Sequence, residues 1–220
     1  MASLLVASLV ALVAFQEPTA WERFGPGSWA ERLTTGKREG AAVRTVEKSL
    51  FKEATRSDVV ISLETVDAGG GRSVVDMKYP LPQREVPKEE EGKKTGEEKL
   101  TVDGKIFACD ILERRGVRRW VCPTAPANRG VLKSEAIAGS VQLITRVLKL
   151  EEKVRVGTAT VACWVVEEVT DTGDQKTTRT SWISDEVPGG VVRSEVRQVR
   201  GKEVAEETVT ILTAFEVVKK

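Results

Sequence analysis

The sequence predicts an all-β fold: an antiparallel meander of about ten to twelve strands from Trp29 to Val218, forming one curved sheet or half-barrel with internal hairpin repeats. Three observations predict it. Val, Thr and Ile are abundant and Gly is frequent, a composition that favours strands over helices. No long segment after residue 16 carries an apolar stripe of helical period. The stretch Trp182–Glu195 reads as strand, Pro188-Gly189-Gly190 turn and strand, and a degenerate copy lies 62 residues earlier, in Trp120-Val121-Cys122, Pro126 and Gly130–Glu135.

The chain has 220 residues, 30% charged and 40% apolar, with a formal net charge of +1. That length can bury a core without a disulfide framework. The interleaved charges give no basic footprint for nucleic acid and no polybasic cluster for an anionic membrane. There is no histidine, so the commonest general base, proton shuttle and metal ligand is missing.

Ser3 to Phe15 is an uninterrupted apolar run, too short to span a bilayer comfortably but fitting the h-region of a signal peptide. Residues 1–16 are therefore read as a signal peptide, and 17–220 as one β domain with no membrane span. A buried first strand is the alternative. No Cys near the end of the run supports a lipid anchor.

Trp21–Trp29 is a turn-rich lead-in containing Gly25-Pro26-Gly27. Strands are expected at Trp29–Thr35, Ala42–Ala54, Asp58–Asp67 and Ser73–Leu81. Gly36–Gly40, Thr55-Arg56-Ser57 and Ala68–Gly71 supply the breaks. Residues 82–98 carry many charges and one aliphatic residue, Val86, and so read as a charged loop with nothing to bury. A charged partner-binding segment is the functional alternative.

Two repeat units follow, at about 99–152 and 153–218. Lys99–Val102 through Ala108-Cys109 matches Lys153–Val156 through Ala162-Cys163 at an offset of 54. Pro126 matches Pro188, each six residues after its Trp. Val141–Leu150 and Val204–Val218 close the units, the latter with the alternation of a half-buried strand. Pro26–Trp29 opens a weaker third half-copy. A two-residue turn at Arg115-Gly116 pairs Glu113 with Arg118, Ile111 with Trp120 and Cys109 with Cys122. A turn at Gly173-Asp174 pairs Glu167 with Thr180, Val165 with Trp182 and Cys163 with Ser184. Both registers set an aliphatic residue opposite the repeated Trp.

Three cysteines leave at least one unpaired in an exported chain. The register favours a Cys109–Cys122 disulfide with Cys163 as a buried thiol; three free buried thiols remain the alternative. No C-x-x-C motif suggests zinc or redox chemistry, and no metal ligand set is identified. Asp171-Thr172-Gly173 resembles the aspartic-protease triplet, but that chemistry needs two such carboxylates, and Asp-Thr-Gly-Asp suits a hairpin turn. Gly69-Gly70-Gly71 lacks the Lys-Ser/Thr of a phosphate loop. No catalytic residue and no cofactor are assigned. Among the five Trp residues, Trp120, Trp164 and Trp182 are the ligand-binding candidates, because an exposed sheet Trp can line an apolar groove; as core residues they would only pack.

Trp182–Arg193, preceded by Val161-Ala162-Cys163, resembles uncharacterised exported bacterial β-rich proteins with a Trp-x-Ser-x-x-Val-Pro-Gly-Gly-Val-Val pattern, whose Pro-Gly-Ser-Trp lead-in looks like Pro26–Trp29. More remotely, the Trp, the Pro-Gly and the following strand are similar to the LolA/LolB-like lipoprotein-carrier superfamily. That resemblance implies a half-barrel whose concave face holds acyl chains under covering helices; this chain has no helical segment to serve as the cover.

The first expectation is a non-enzymatic protein exported to the periplasm or beyond, holding an apolar or lipid-like ligand on the concave face. The second is a structural or protein-interaction module whose partner is an envelope protein. An enzyme using carboxylates is third. An open Trp-lined cavity would mark the first, a filled core the second and two facing carboxylates in a cleft the third.

Overall fold

The computed structural model describes residues 21, 23–55, 57–80 and 92–219. Its strands are β1 (Trp29–Arg38), β2 (Ala41–Ala54), β3 (Asp58–Val66), β4 (Arg72–Pro80), β5 (Lys93–Val102), β6 (Lys105–Arg114), β7 (Val117–Val121), β8 (Val131–Ala138), β9 (Val141–Val156), β10 (Ala159–Asp171), β11 (Gln175–Ile183), β12 (Val191–Arg200) and β13 (Glu203–Glu216). All thirteen form one open sheet in the order β4-β3-β2-β1-β13-β12-β11-β10-β9-β8-β7-β6-β5. The all-β antiparallel meander is as expected, with one strand more than the upper count. The expected signal peptide lies outside the described residues. No helix among the described residues is long and apolar enough to cross a membrane.

Two meanders meet at β1 and β13, where Thr34 lies opposite Thr210. The chain passes between them from one edge of the sheet, β4, to the other, β5. Because every neighbour is antiparallel, the two edge strands run the same way, so the end of β4 and the start of β5 lie at opposite ends of the sheet. Laid flat, thirteen strands would span about 58 Å. The thirteen residues from Pro80 to Lys93 reach at most about 47 Å. The sheet must therefore curve strongly. Locally it does so at β9, which carries register shifts where it passes Cys163 and Val165. There the Leu150 N–H leaves the ladder and donates to Asp103 Oδ2 (2.7 Å), drawing the β5–β6 turn toward β9.

Several boundaries differ from the sequence reading. Residues 93–98 are strand, not loop: they form the outer half of β5, whose Lys93, Lys94, Glu97 and Lys99 are exposed. Their charges suit an edge, where one side of the strand faces solvent. β1 runs through Gly36 to Arg38, leaving only Glu39-Gly40 as the turn. The boundary expected between the repeat units, at 152/153, falls inside β9, which is one continuous strand. Lys153–Val156 is the end of one long strand rather than the start of a new one.

The core forms three clusters. Trp21 and Phe24 pack on Phe51, Val59 and Ile61. Ala125 and Ala127 pack with Phe107, Cys109, Trp120, Leu132, Val147 and Val166. Val187 packs with Ala30, Val156, Val161, Cys163, Val192 and Leu212. In each cluster an irregular segment, not a helix, supplies the cover. The reason is strand length. β7 and β8 stop at Val121 and Val131, while β6 and β9 continue past them. β11 and β12 stop at Ile183 and Val191, while β10 and β13 continue. Residues 122–130 and 184–190 fill the two gaps. By register Cys163 shares a face with Trp182, Arg193 and Ile211, whereas Leu212 and Ala30 lie on the other face. All of Cys163, Leu212 and Ala30 nevertheless join Val187 in one cluster, so the sheet turns around the segment it encloses.

At Gly36 the backbone of β1 lies tight against Glu207 and Thr208 of β13. The φ of Gly36 is +146°, and an added Cβ would lie 2.1 Å from the Glu207 carbonyl oxygen. Gly36→Ala is expected to destabilise the fold by about 2–4 kcal/mol, combining a disfavoured backbone with overpacking. Urea unfolding measures it; a loss under about 0.5 kcal/mol, the usual range for a surface change, would mean the two strands separate there without cost.

Candidate functional site

The two hairpins form in the register expected. Trp120 lies opposite Ile111 and Lys133, and Trp182 opposite Val165 and Arg193. A bulge follows each Trp, between Trp120 and Val121 and between Trp182 and Ile183. Each indole is held on two sides. The Trp120 Nε1–H donates to Glu98 Oε2 (2.6 Å), and Lys133 Nζ sits 4.2 Å from the ring centre. The Trp182 Nε1–H donates to Glu152 Oε1 (2.9 Å), with the Arg193 guanidinium 4.8 Å from the ring centre. Trp29 repeats the arrangement a third time, with Glu216 on its N–H (2.9 Å) and Lys48 over its ring at 4.2 Å. Glu98 and Glu152 stand at the same 54-residue offset as the rest of the repeat, one residue upstream of the matched stretch. That signal could have found them.

The carboxylates and cations closing on Trp120 and Trp182 make them fasteners of the sheet. Trp120 is buried and Trp182 half-buried. Of the three expected ligand-binding residues, Trp164 borders a cleft. The cleft, about 290 Å³, lies between Asp103 of the β5–β6 turn, Lys105 at the start of β6, Pro126, and Leu150, Cys163 and Trp164 of β9 and β10. The Trp164 indole N–H is buried without a hydrogen-bond partner among the described residues. Two carboxylates, Asp103 and Glu151, border the cleft, but Asp103 is already engaged by the Leu150 N–H.

The gap segments share one hydrogen-bond pattern. Cys122 N–H donates to Gly130 O (2.7 Å), as Ser184 N–H does to Gly190 O (2.8 Å). Gly130 N–H donates to Ala127 O (2.9 Å), as Gly190 N–H does to Val187 O (2.8 Å). Val187 thus corresponds to Ala127, and Pro188 to Asn128 rather than to Pro126; the first segment is simply longer. Arg129-Gly130 and Gly189-Gly190 take positive φ in turn, which explains the paired glycines. A Cβ on Gly189 would also press on the Trp21 ring at 3.1 Å.

The segments are fastened differently. Cys122 is disulfide-bonded to Cys109. Cys163 is a buried free thiol. Burial pushes its pKa up to about 11, so at neutral pH it is a small apolar group rather than a nucleophile. Arg32 fastens the second segment instead. It is buried, and its Nε and Nη2 donate to Val191 O (3.0 Å) and Pro188 O (2.9 Å). Burial lowers its pKa to about 10, leaving it charged at neutral pH. Arg32 was not legible as a site residue, since one Arg in a strand has no local signature. Asp171-Thr172-Gly173 forms a hairpin turn, with Thr172 N–H on Gln175 O and the Asp171 carboxylate accepting the Gly173 N–H. No group of metal-ligating side chains occurs among the described residues.

No family model matches the chain, and no curated protein matches it. Two solved structures are similar in backbone at 14% identity and a TM-score of 0.44 each. One is a "putative exported protein with YmcC-like fold" from Bacteroides fragilis, covering 92% of this chain and 99% of its own. The other is a "putative lipoprotein" from Parabacteroides distasonis, covering 87% and 96%.

Two outcomes are expected from these fasteners. Ser184→Cys should bond to Cys163, giving a second disulfide seen as the loss of two hydrogens by intact mass and adding about 2–3 kcal/mol over the reduced form. A variant retaining both thiols under oxidising conditions would show that the two copies diverge at this pair. The Lys149 ammonium, and then the Trp182 indole, hold the Glu152 carboxyl below its ordinary value. A depressed carboxyl stabilises the fold above its unfolded value, and that contribution is lost as pH falls through the folded one. The Trp182 indole N–H resonance should therefore shift in acid, below the ordinary carboxylate range, and Glu152→Gln should abolish that step. A step that survives the substitution would assign the titration elsewhere.

Proposed function

We propose that this chain is an exported, non-enzymatic protein of the cell envelope acting as a structural or protein-interaction module. The observation that carries the reading is the occupation of the sheet's apolar surface by the chain's own Trp21 and Phe24 and by its segments 122–130 and 184–190. An acyl carrier needs that surface open. Export is supported by the apolar run at residues 3–15 and by the Cys109–Cys122 disulfide, a bond that persists in oxidising compartments. A non-enzymatic role is supported by the lack of histidine, the unreactive Cys163 thiol and the structural use of Asp103 and Asp171.

One observation favours a second reading, a small ligand in the cleft of about 290 Å³ that Trp164 borders. Native mass spectrometry of the chain purified from an exporting host, followed by organic extraction, separates the two. The module reading expects the protein mass alone and no uptake of added lipids. A reproducible co-purifying acyl species would replace it with the ligand-binding reading.

A further inference from the structure

The two edges of the sheet are unlike. β5 is guarded by exposed Lys93, Lys94, Glu97 and Lys99, the means by which sheets avoid unwanted pairing. β4 has one neighbour among the described residues, β3. In its first half stand Val74 and Val75, 56% and 55% exposed. Being consecutive, they place an apolar side chain on each face of the edge. Pro80, the one residue of β4 without an N–H donor, lies at its very end, so among the described residues nothing occupies the outer edge of Arg72–Tyr79.

We infer that β4 pairs with β4 of a second copy of this chain, antiparallel about a two-fold axis at Val74. Charge selects this partner and this register. Arg72, Val74 and Asp76 share one face of the strand. In the two-fold register Arg72 meets Asp76 of the second copy, Asp76 meets its Arg72, and the two Val74 residues meet on the axis. On the other face Ser73 and Val75 exchange in the same way. Neighbouring pairs extend the alternation, because Arg72 is bridged to Glu64 (2.7 Å) and Asp76 to Lys52 (2.7 Å). Across the joint the signs run Glu64, Arg72, then Asp76 and Lys52 of the second copy, with no like charges adjacent. Sliding the axis to Val75 sets Arg72 against Lys78, and sliding it to Asp76 sets that carboxylate against itself; both are unfavourable. An isologous joint of this kind closes as a dimer and leaves the charged β5 edges outside.

Self-pairing deepens the interaction-module reading and rests on it only for its biological meaning. A strictly monomeric chain would overturn the pairing and leave the lipid-extraction result as it stands. The test is sedimentation equilibrium of the full exported chain across a range of concentration and salt. A dimer is expected, weakened by salt. Val74→Lys and Arg72→Asp should each weaken it about tenfold or more, the loss of one well-formed contact per half-joint. Adding Asp76→Arg to Arg72→Asp exchanges the two partners across the joint but sets Glu64 and Lys52 beside like charges, so it should regain part of the affinity lost. Val74 is exposed, so thermal unfolding of Val74→Lys should match the parent at concentrations where both are monomeric. Val74→Cys should give a covalent dimer on oxidation, since the two thiols meet on the axis while Cys163 is buried. A monomer at all concentrations, or a dimer indifferent to Val74→Lys and not cross-linked through Val74→Cys, would overturn the inference.

Discussion

The backbone groups at the ends of β7, β8, β11 and β12 have no ladder to enter, because these strands stop while their neighbours run on. Buried N–H and C=O groups must find partners. Both gaps meet that demand with the same closed turn, Cys122 to Gly130 and Ser184 to Gly190. The turn needs left-handed backbone at its last two residues, which is why glycine recurs there. It also drives Ala127 and Val187 into the space between diverging strands, where each is nearly fully buried. Curvature, core and cover follow from one mismatch in strand length.

The repeated Trp sits where this mismatch begins. A bulge after Trp120 and Trp182 turns the chain out of the ladder. An indole there can be gripped from the neighbouring strands, by a carboxylate at its edge and a cation over its face, which suits the charge distribution of an aromatic ring. Three such grips, at Trp29, Trp120 and Trp182, join β13–β1–β2, β5–β7–β8 and β9–β11–β12. The third shows that the Pro26–Trp29 lead-in belongs to the same design as the other two, although its strand arrangement is not identical.

Local patterns made the strands and both hairpin registers legible, since alternation, Gly turns and the repeat all act over a few residues. The same local reasoning treated 93–98 as loop, because an edge strand has no apolar side to declare itself. It aligned Pro126 with Pro188 by counting from Trp, where the hydrogen bonds count from Gly. It could not see Arg32, whose role depends on β1 meeting β13 and thereby reaching residues 188–191 far along the chain. The partners of Trp120 and Trp182 escaped it for a related reason: Glu98 and Glu152 come from another strand of the unit.

The two gap segments also show how position in a sheet decides the means of closure. The second lies beside β1, which joins the sheet at β13 and carries an Arg long enough to reach the Pro188 and Val191 carbonyls. A buried guanidinium costs desolvation, and two carbonyl acceptors offset part of that cost. Trp21 then covers the segment, against Gly189. The first segment is placed differently: among the described residues, beyond β6 lies the edge strand β5, whose side chains are mostly charged and exposed. A covalent link from β6 itself, Cys109 to Cys122, does there what Arg32 does in the second copy. Cys163 and Ser184 occupy the matching places in a copy already fastened by other means, so a thiol and a hydroxyl can stand where the first copy requires a bond.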